Sequence, residues 1–184
     1  MDVVIVGAGP AGTMAATLLA RAGARVAIVE RGRMPRSRLC GDTLNPGALA
    51  VLRRHGLDAA AEQGSVRIDG VRVTGDGGLS VDARYPATLS GRALPRETFD
   101  GALVDAAIAA GVELIDGTIV RSAIIESGRG GERIAGVRVG AVERPRELRA
   151  AVEIAADGCP STLAVGLGLM RHPARPRRWA IGAT

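Results

Sequence analysis

Glycines at positions 7, 9 and 12, directly behind a short apolar run, limit what this chain can fold into more than any other feature. The opening stretch, Met1 to Arg31, reads MDVVIVGAGPAGTMAATLLARAGARVAIVER. Val3-Val4-Ile5-Val6 is apolar and β-branched with no polar alternation, the pattern of a strand buried on both faces of a parallel sheet. Gly7, Gly9 and Gly12 then form G-x-G-x-x-G. Each has a physical job: a tight turn out of the strand, close backbone approach to a pyrophosphate, and close packing of the next helix. The spacing predicts a helix from Pro10 to Ala22, with Met14 and Leu18 facing the sheet and Gly23 capping its end. Pro10, Ala11 and Gly12 make its first turn, where N–H groups point at bound phosphates. Arg25 to Val29 is a second strand, ended by Glu30 eighteen positions after Gly12. A carboxylate there accepts both hydroxyls of an adenosine ribose and repels a 2′-phosphate, so the nucleotide is FAD or NAD rather than NADP. Arg31 completes this end of the cofactor-binding set.

Composition closes off several function classes. At 184 residues and 47% hydrophobic, the chain can bury a core and falls in the range of one ordinary domain. The net charge is +5 and all 24 basic residues are arginine. Those arginines are scattered, and one Phe, one Tyr and one Trp supply no stacking platform, so nucleic acid is not an expected partner. Cys40 and Cys159 stand far apart in no C-x-x-C or metal-ligand pattern, which predicts a reduced compartment and no metal site. Met1-Asp2 leads straight into the first strand, with no basic or apolar leader, and no run reaches the roughly 18 residues of a membrane span. The expected location is cytoplasmic, with peripheral membrane contact where the substrate is a lipid. No Ser-His-Asp or paired-carboxylate arrangement suggests a hydrolase, and neither His55 nor His172 is assigned a catalytic role.

Along the chain, residues 32–43 read as a loop. Asn45-Pro46 is an N-cap with proline at the first helical position of a short helix closed by Gly56. Residues 66–74 and 79–83 alternate apolar and polar around Gly75-Asp76-Gly77-Gly78, a hairpin signal, and 85–89 is expected to add an edge strand. Pro95 to Ala110 is a second helix, with Phe99, Leu103, Ala106 and Ala110 at helical spacing. Residues 112–115 return to the parallel sheet, 118–126 and 133–139 form another hairpin, and 151–156 is a last apolar strand ending at Asp157-Gly158. Residues 171–178 are a Pro- and Arg-rich linker, and 179–184 the start of a strand.

Three motifs in this order resemble the flavoproteins of the p-hydroxybenzoate hydroxylase type: the G-x-G-x-x-G with Glu30, Arg96 opening R-x-x-F-D-x-x-L, and Ala156-Asp157-Gly158-Cys159-Pro160-Ser161. Within that class, Cys40-Gly41-Asp42-Thr43-Leu44-Asn45-Pro46 is similar to the C-G-D-x-L-x-P of the geranylgeranyl reductase branch. The resemblance implies an α/β fold, a Rossmann-like parallel sheet of FAD/NAD(P)-binding type with antiparallel strands inserted at about 64–94. Residues 1–170 would form that domain, and 171–184 a linker and the start of an incomplete substrate domain. The family's second flavin motif, G-D-A-A-G, is absent from these 184 residues, which implies that the C-terminal part of the fold is missing.

The function implied is an FAD-dependent oxidoreductase in which NAD(P)H reduces the flavin and the reduced flavin delivers hydride to an isoprenoid double bond. One rival is a flavin monooxygenase of an aromatic or polyketide-like substrate; the other is a non-catalytic nucleotide-binding remnant or one chain of a split enzyme. The resemblance places Arg96 against the flavin nucleotide, and Asp157 with Gly158 near the pyrophosphate and ribityl chain. It places Cys40 near the isoalloxazine, where a thiol gates substrate or donates a proton; the other reading is a small residue packed in a loop. Asp42 is a proton donor or a turn residue, and Arg36 and Arg38 each meet FAD phosphate or are solvated loop arginines. The oligomeric state is left open.

Overall fold

The computed structural model describes residues 1–37, 42–128, 131–159, 161–171 and 175. They fall into two compact units: Met1–Arg36 together with the chain from Asp100 onward, and Ser37–Phe99. The elements in chain order are β1 (Val3–Val6), α1 (Pro10–Arg21), β2 (Val26–Val29), β3 (Thr43–Leu44), α2 (Pro46–Arg54), β4 (Val66–Ile68), β5 (Gly70–Thr74), β6 (Ser80–Arg84) and β7 (Gly91–Ala93). Then come α3 (Arg96–Ala109), β8 (Glu113–Ile115), β9 (Val120–Gly128), β10 (Gly131–Gly140), β11 (Pro145–Arg149), β12 (Val152–Ala155) and α4 (Thr162–Gly166).

In the first unit a four-stranded sheet has the order β12-β1-β2-β8, parallel throughout, as the sequence led one to expect. Its two faces explain why β1 and β2 are apolar at every position. Val3, Ile5, Val26 and Ile28 point one way and pack with Ala8, Ala16, Val104, Ala107 and Val112. Val4, Val6, Ala27 and Val29 point the other way and pack with Val120, Val137, Val139, Ala150 and Leu163. The sheet is thus a middle layer, with α1 and α3 on one side and the antiparallel sheet β11-β10-β9 with α4 on the other. Each fully buried isoleucine, Ile5 or Ile28, contributes roughly 1.5–3 kcal/mol. Asp2 fastens the outer end of β1 to Arg25 through the Arg25 N–H and guanidinium, which hold its carboxyl well below the usual carboxylate range.

Helix α1 differs from the sequence reading in the face it presents. Gly12, Thr13, Ala16 and Thr17 are the buried residues, while Met14 and Leu18 are only half-buried. The stripe against the sheet is made of small side chains, so the helix lies close to the strands. The two threonine hydroxyls are satisfied within the helix, Thr13 Oγ1 donating to the Gly9 carbonyl at 2.9 Å and Thr17 Oγ1 to that of Thr13 at 2.7 Å.

The antiparallel sheet β11-β10-β9 contains the expected hairpin, with Arg129 and Gly130 of its loop outside the described residues. Its third strand, β11, is Pro-Arg-Glu-Leu-Arg, polar and proline-led, as suits an edge. Exposed ion pairs cross this sheet. Glu126 accepts from Arg149 and Arg133, and Arg149 in particular holds its carboxyl below the usual range.

In the second unit, β5 and β6 form the hairpin expected around Gly75–Gly78, and β3, β7 and β4 form a separate antiparallel sheet. The run 66–74 is two strands, broken at Asp69, because β4 pairs with β7 while β5 pairs with β6. The edge strand expected at 85–89 is not formed. Tyr85 N–H donates to the Asp69 carbonyl and a turn follows, closed by Leu89 N–H on the Pro86 carbonyl; Pro86 has no N–H to give a ladder. The strand begins instead at Gly91.

The glycine turn sets a stability test. A Cβ on Gly12 would lie 2.0 Å from the Gly7 carbonyl oxygen, whereas one on Gly9 meets nothing closer than 3.9 Å. Alanine favours a helix interior by up to ~1 kcal/mol over glycine, yet Gly12→Ala is expected to lose about 3 kcal/mol through overpacking. Gly9→Ala is expected to stay within about 0.5 kcal/mol of the parent. Urea unfolding followed by circular dichroism checks both.

Candidate functional site

The residues singled out at the start of the chain converge at the carboxyl ends of β1, β2 and β12. Gly7 leaves β1 with φ at +104°, in the region that favours glycine, and a Cβ there would come within 2.5 Å of the Ala156 carbonyl oxygen just past β12. Gly9 is the N-cap of α1, and Pro10 begins the helix, where its missing N–H costs nothing. No side chain caps this end and no acid lies in the first turn, so the positive end of the α1 dipole is left facing outward. Ala11 is exposed and Pro10 half-buried beside it. An added Cβ at Gly9 would meet only the Arg36 guanidinium, at 3.9 Å, and with the uncapped helix start this makes a cradle that a larger residue would fill, which fits a pyrophosphate.

Glu30 stands directly after β2 and is 3% exposed. Its Oε2 accepts the Ala8 N–H at 2.8 Å and its Oε1 accepts the Gly32 N–H at 3.0 Å. Oε2 also lies 3.3 Å from Arg36 Nη2, an ion pair whose arginine side chain is 12% exposed. A carboxylate has about four lone-pair positions, so beside these three partners about one remains for a ribose hydroxyl. Arg31 is exposed.

Asp157 follows β12 at the same end. Its Oδ2 accepts the Thr162 N–H at 2.9 Å, tying it to the start of α4, and its Oδ1 is buried without a hydrogen-bond partner among the described residues. An orphaned acceptor beside the Gly7 turn fits a hydroxyl-bearing ligand. Gly158 is exposed with φ at +89°. Arg96 belongs to the second unit, where it opens α3 and its N–H donates to Asp42 Oδ1 at 3.2 Å. The Leu94 N–H reaches the Asp42 main-chain carbonyl at 2.9 Å. Asp42 is therefore an acceptor holding the start of α3, which favours the turn-residue reading over the proton donor. Arg38 and Cys40 lie outside the described residues. Among the described residues no cluster of three or more His, Cys, Asp or Glu could hold a metal, and no helix is long and apolar enough to cross a membrane.

Arg36 is the residue the sequence undervalued. The sequence left it between a phosphate contact and a solvated loop arginine with no link to Glu30, yet its guanidinium lies over Gly9 and against Glu30. A clue was present in Gly32: a Cβ there would lie 3.2 Å from Arg36 Cδ, so glycine lets the arginine fold back over the chain.

Comparison with known proteins bears on what the cradle holds. Residues 1–180 match the family described as FAD binding domain. A menaquinone reductase from Mycolicibacterium smegmatis is 37% identical over 178 residues, covering 93% of this chain and 41% of that protein. Digeranylgeranylglycerophospholipid reductase 1 from Methanopyrus kandleri is 32% identical, covering 92% of this chain and 42% of that protein. Among solved structures, a probable FAD-dependent monooxygenase from Pseudomonas aeruginosa superposes with a TM-score of 0.77 at 27% identity, over 96% of this chain and 47% of that one. The chain spans less than half the length of each.

Gly9→Val is expected to abolish dinucleotide binding while leaving the fold intact, because its methyls occupy the space above the helix start. Parallel circular dichroism and calorimetric titration separate the two effects; normal affinity in the variant would show that the turn is not a phosphate cradle.

Proposed function

From the premise that this chain belongs to the FAD binding domain family, we propose that it forms the FAD-binding part of an oxidoreductase of geranylgeranyl reductase type. Its electron donor is NAD(P)H and its substrate an isoprenoid or related double bond. The observation that carries the reading is the open, uncapped start of α1 at Gly9, flanked by the Glu30 carboxylate and the orphaned Asp157 Oδ1. The reductases among the relatives, together with Cys40-Gly41-Asp42-Thr43-Leu44-Asn45-Pro46, support the reductase branch. The likeness to a probable monooxygenase supports a second reading, hydroxylation of an aromatic or polyketide-like substrate. A cytoplasmic location, with peripheral membrane contact for a lipid substrate, belongs to the same proposal.

FAD, when bound, would supply the hydride-transfer chemistry between a nicotinamide donor and the substrate. The residues of this chain bind and orient. Gly7 and Gly12 shape the turn, Gly9 leaves room for the pyrophosphate, and the α1 dipole offsets its charge. Glu30 accepts from a hydroxyl of the adenosine ribose with the lone pair that Ala8, Gly32 and Arg36 leave available. Asp157 accepts from a hydroxyl on the ribityl side. In the second unit, Asp42 fixes the first turn of α3 and so the starting point of the Arg96 side chain.

Calorimetric titration of the chain with FAD and NADP tests the assignment. FAD is expected to bind more tightly, and Glu30→Gln to lose about 1–3 kcal/mol of FAD binding as a charged acceptor is removed. Tighter binding of NADP than of FAD would overturn it.

A further inference from the structure

The adenosine end of the cradle is not a bare carboxylate. Glu30 is 3% and Arg36 12% exposed, and their charged groups approach to 3.3 Å. Arginine stays protonated at any working pH, so its positive charge offsets part of the carboxylate's at this position. Three features hold the pair together: the Ala8 and Gly32 N–H groups fix both carboxylate oxygens, and Gly32 has no side chain to obstruct Arg36. Arg36 Nη2 also lies 3.9 Å from where a Gly9 Cβ would sit, beside the phosphate cradle itself. In dinucleotide sites an acid at this position selects the free 2′-hydroxyl and an arginine accommodates a 2′-phosphate. This chain carries both, in contact.

We infer that Arg36 is a specificity residue: the Arg36–Glu30 pair, not Glu30 alone, sets how strongly the site distinguishes a ribose 2′-hydroxyl from a 2′-phosphate, and Arg36 weakens that distinction. The inference rests on the reading that Glu30 faces the adenosine ribose. Removing the arginine exposes the full carboxylate charge to a 2′-phosphate; removing the carboxylate charge lifts that repulsion while the positive charge of Arg36 stays nearby. Two substitutions at neighbouring positions therefore move the same ratio in opposite directions, which a loss of packing does not do.

The test is calorimetric titration of the full chain and its variants with FAD, NAD and NADP, with circular dichroism on each. Arg36→Gln is expected to raise the ratio of NADP to NAD dissociation constants about tenfold, and Glu30→Gln to lower it by a similar factor. Arg36→Lys is expected to keep the parent ratio, because the positive charge is restored. Should Arg36→Gln fail to fold, the Glu30→Gln and Arg36→Lys arms still decide. FAD binding with a ratio that moves in none of the variants would overturn the inference alone. A parent chain that binds none of the three nucleotides would overturn the proposed function and this inference with it.

Discussion

A contact with no room for a side chain governs the nucleotide-facing end of this fold. The α-carbon of Gly12 lies against the Gly7 carbonyl, and Gly7 in turn lies against the backbone at Ala156 and Asp157. Two segments distant in sequence, the turn after β1 and the chain just past β12, meet there almost wholly through main-chain atoms, with the Ala156 methyl the one side chain at the contact. The helix start can then sit at the mouth of the parallel sheet, with Gly12 and Thr13 buried against it and no side chain capping the first turn. Were any of these residues larger, the turn would open and the helix would stand off from β1, taking the cradle with it.

Glu30 shows how a buried acid is held in place by the loops around it. Its two main-chain donors bind the end of β2 to the glycine turn after β1 and to the loop that follows β2. Burying such a charge would cost several kcal/mol without partners. Here the partners are built into the same loops that shape the site, so the carboxylate is oriented before any nucleotide arrives, and a ligand need not supply the ordering.

The sequence revealed most where backbone geometry dictates residue type. The turn glycines, the doubly buried strands β1 and β2, the N-cap at Asn45 and the hairpin at Gly75–Gly78 each follow from local chemistry that few other residues satisfy. It revealed less where several residue types do equally well. The sheet-facing stripe of α1 consists of Gly12, Thr13, Ala16 and Thr17, which a search for large apolar side chains passes over. Strand β11 is charged because it is an edge, and the break at Asp69 depends on which distant strand each half pairs with. At the site, Glu30 was readable because its distance from the glycines is fixed by one helix and one strand. Arg36 was not, because its position depends on how an irregular loop folds back over Gly32.

The placement of β1 has a consequence for how the chain is made. β1 is hydrogen-bonded on one side by β2, which follows within some twenty residues, and on the other by β12, with Val3 beside both Val26 and Val152. Closing so long a loop adds little to the equilibrium cost but slows assembly. During translation the first strand therefore waits with one edge unclaimed until almost the whole described chain has emerged. The Gly7 turn cannot settle against Ala156 before then. The turn glycines are thus made well before the backbone at Ala156 on which they pack, and the cradle takes shape only when β12 joins the sheet.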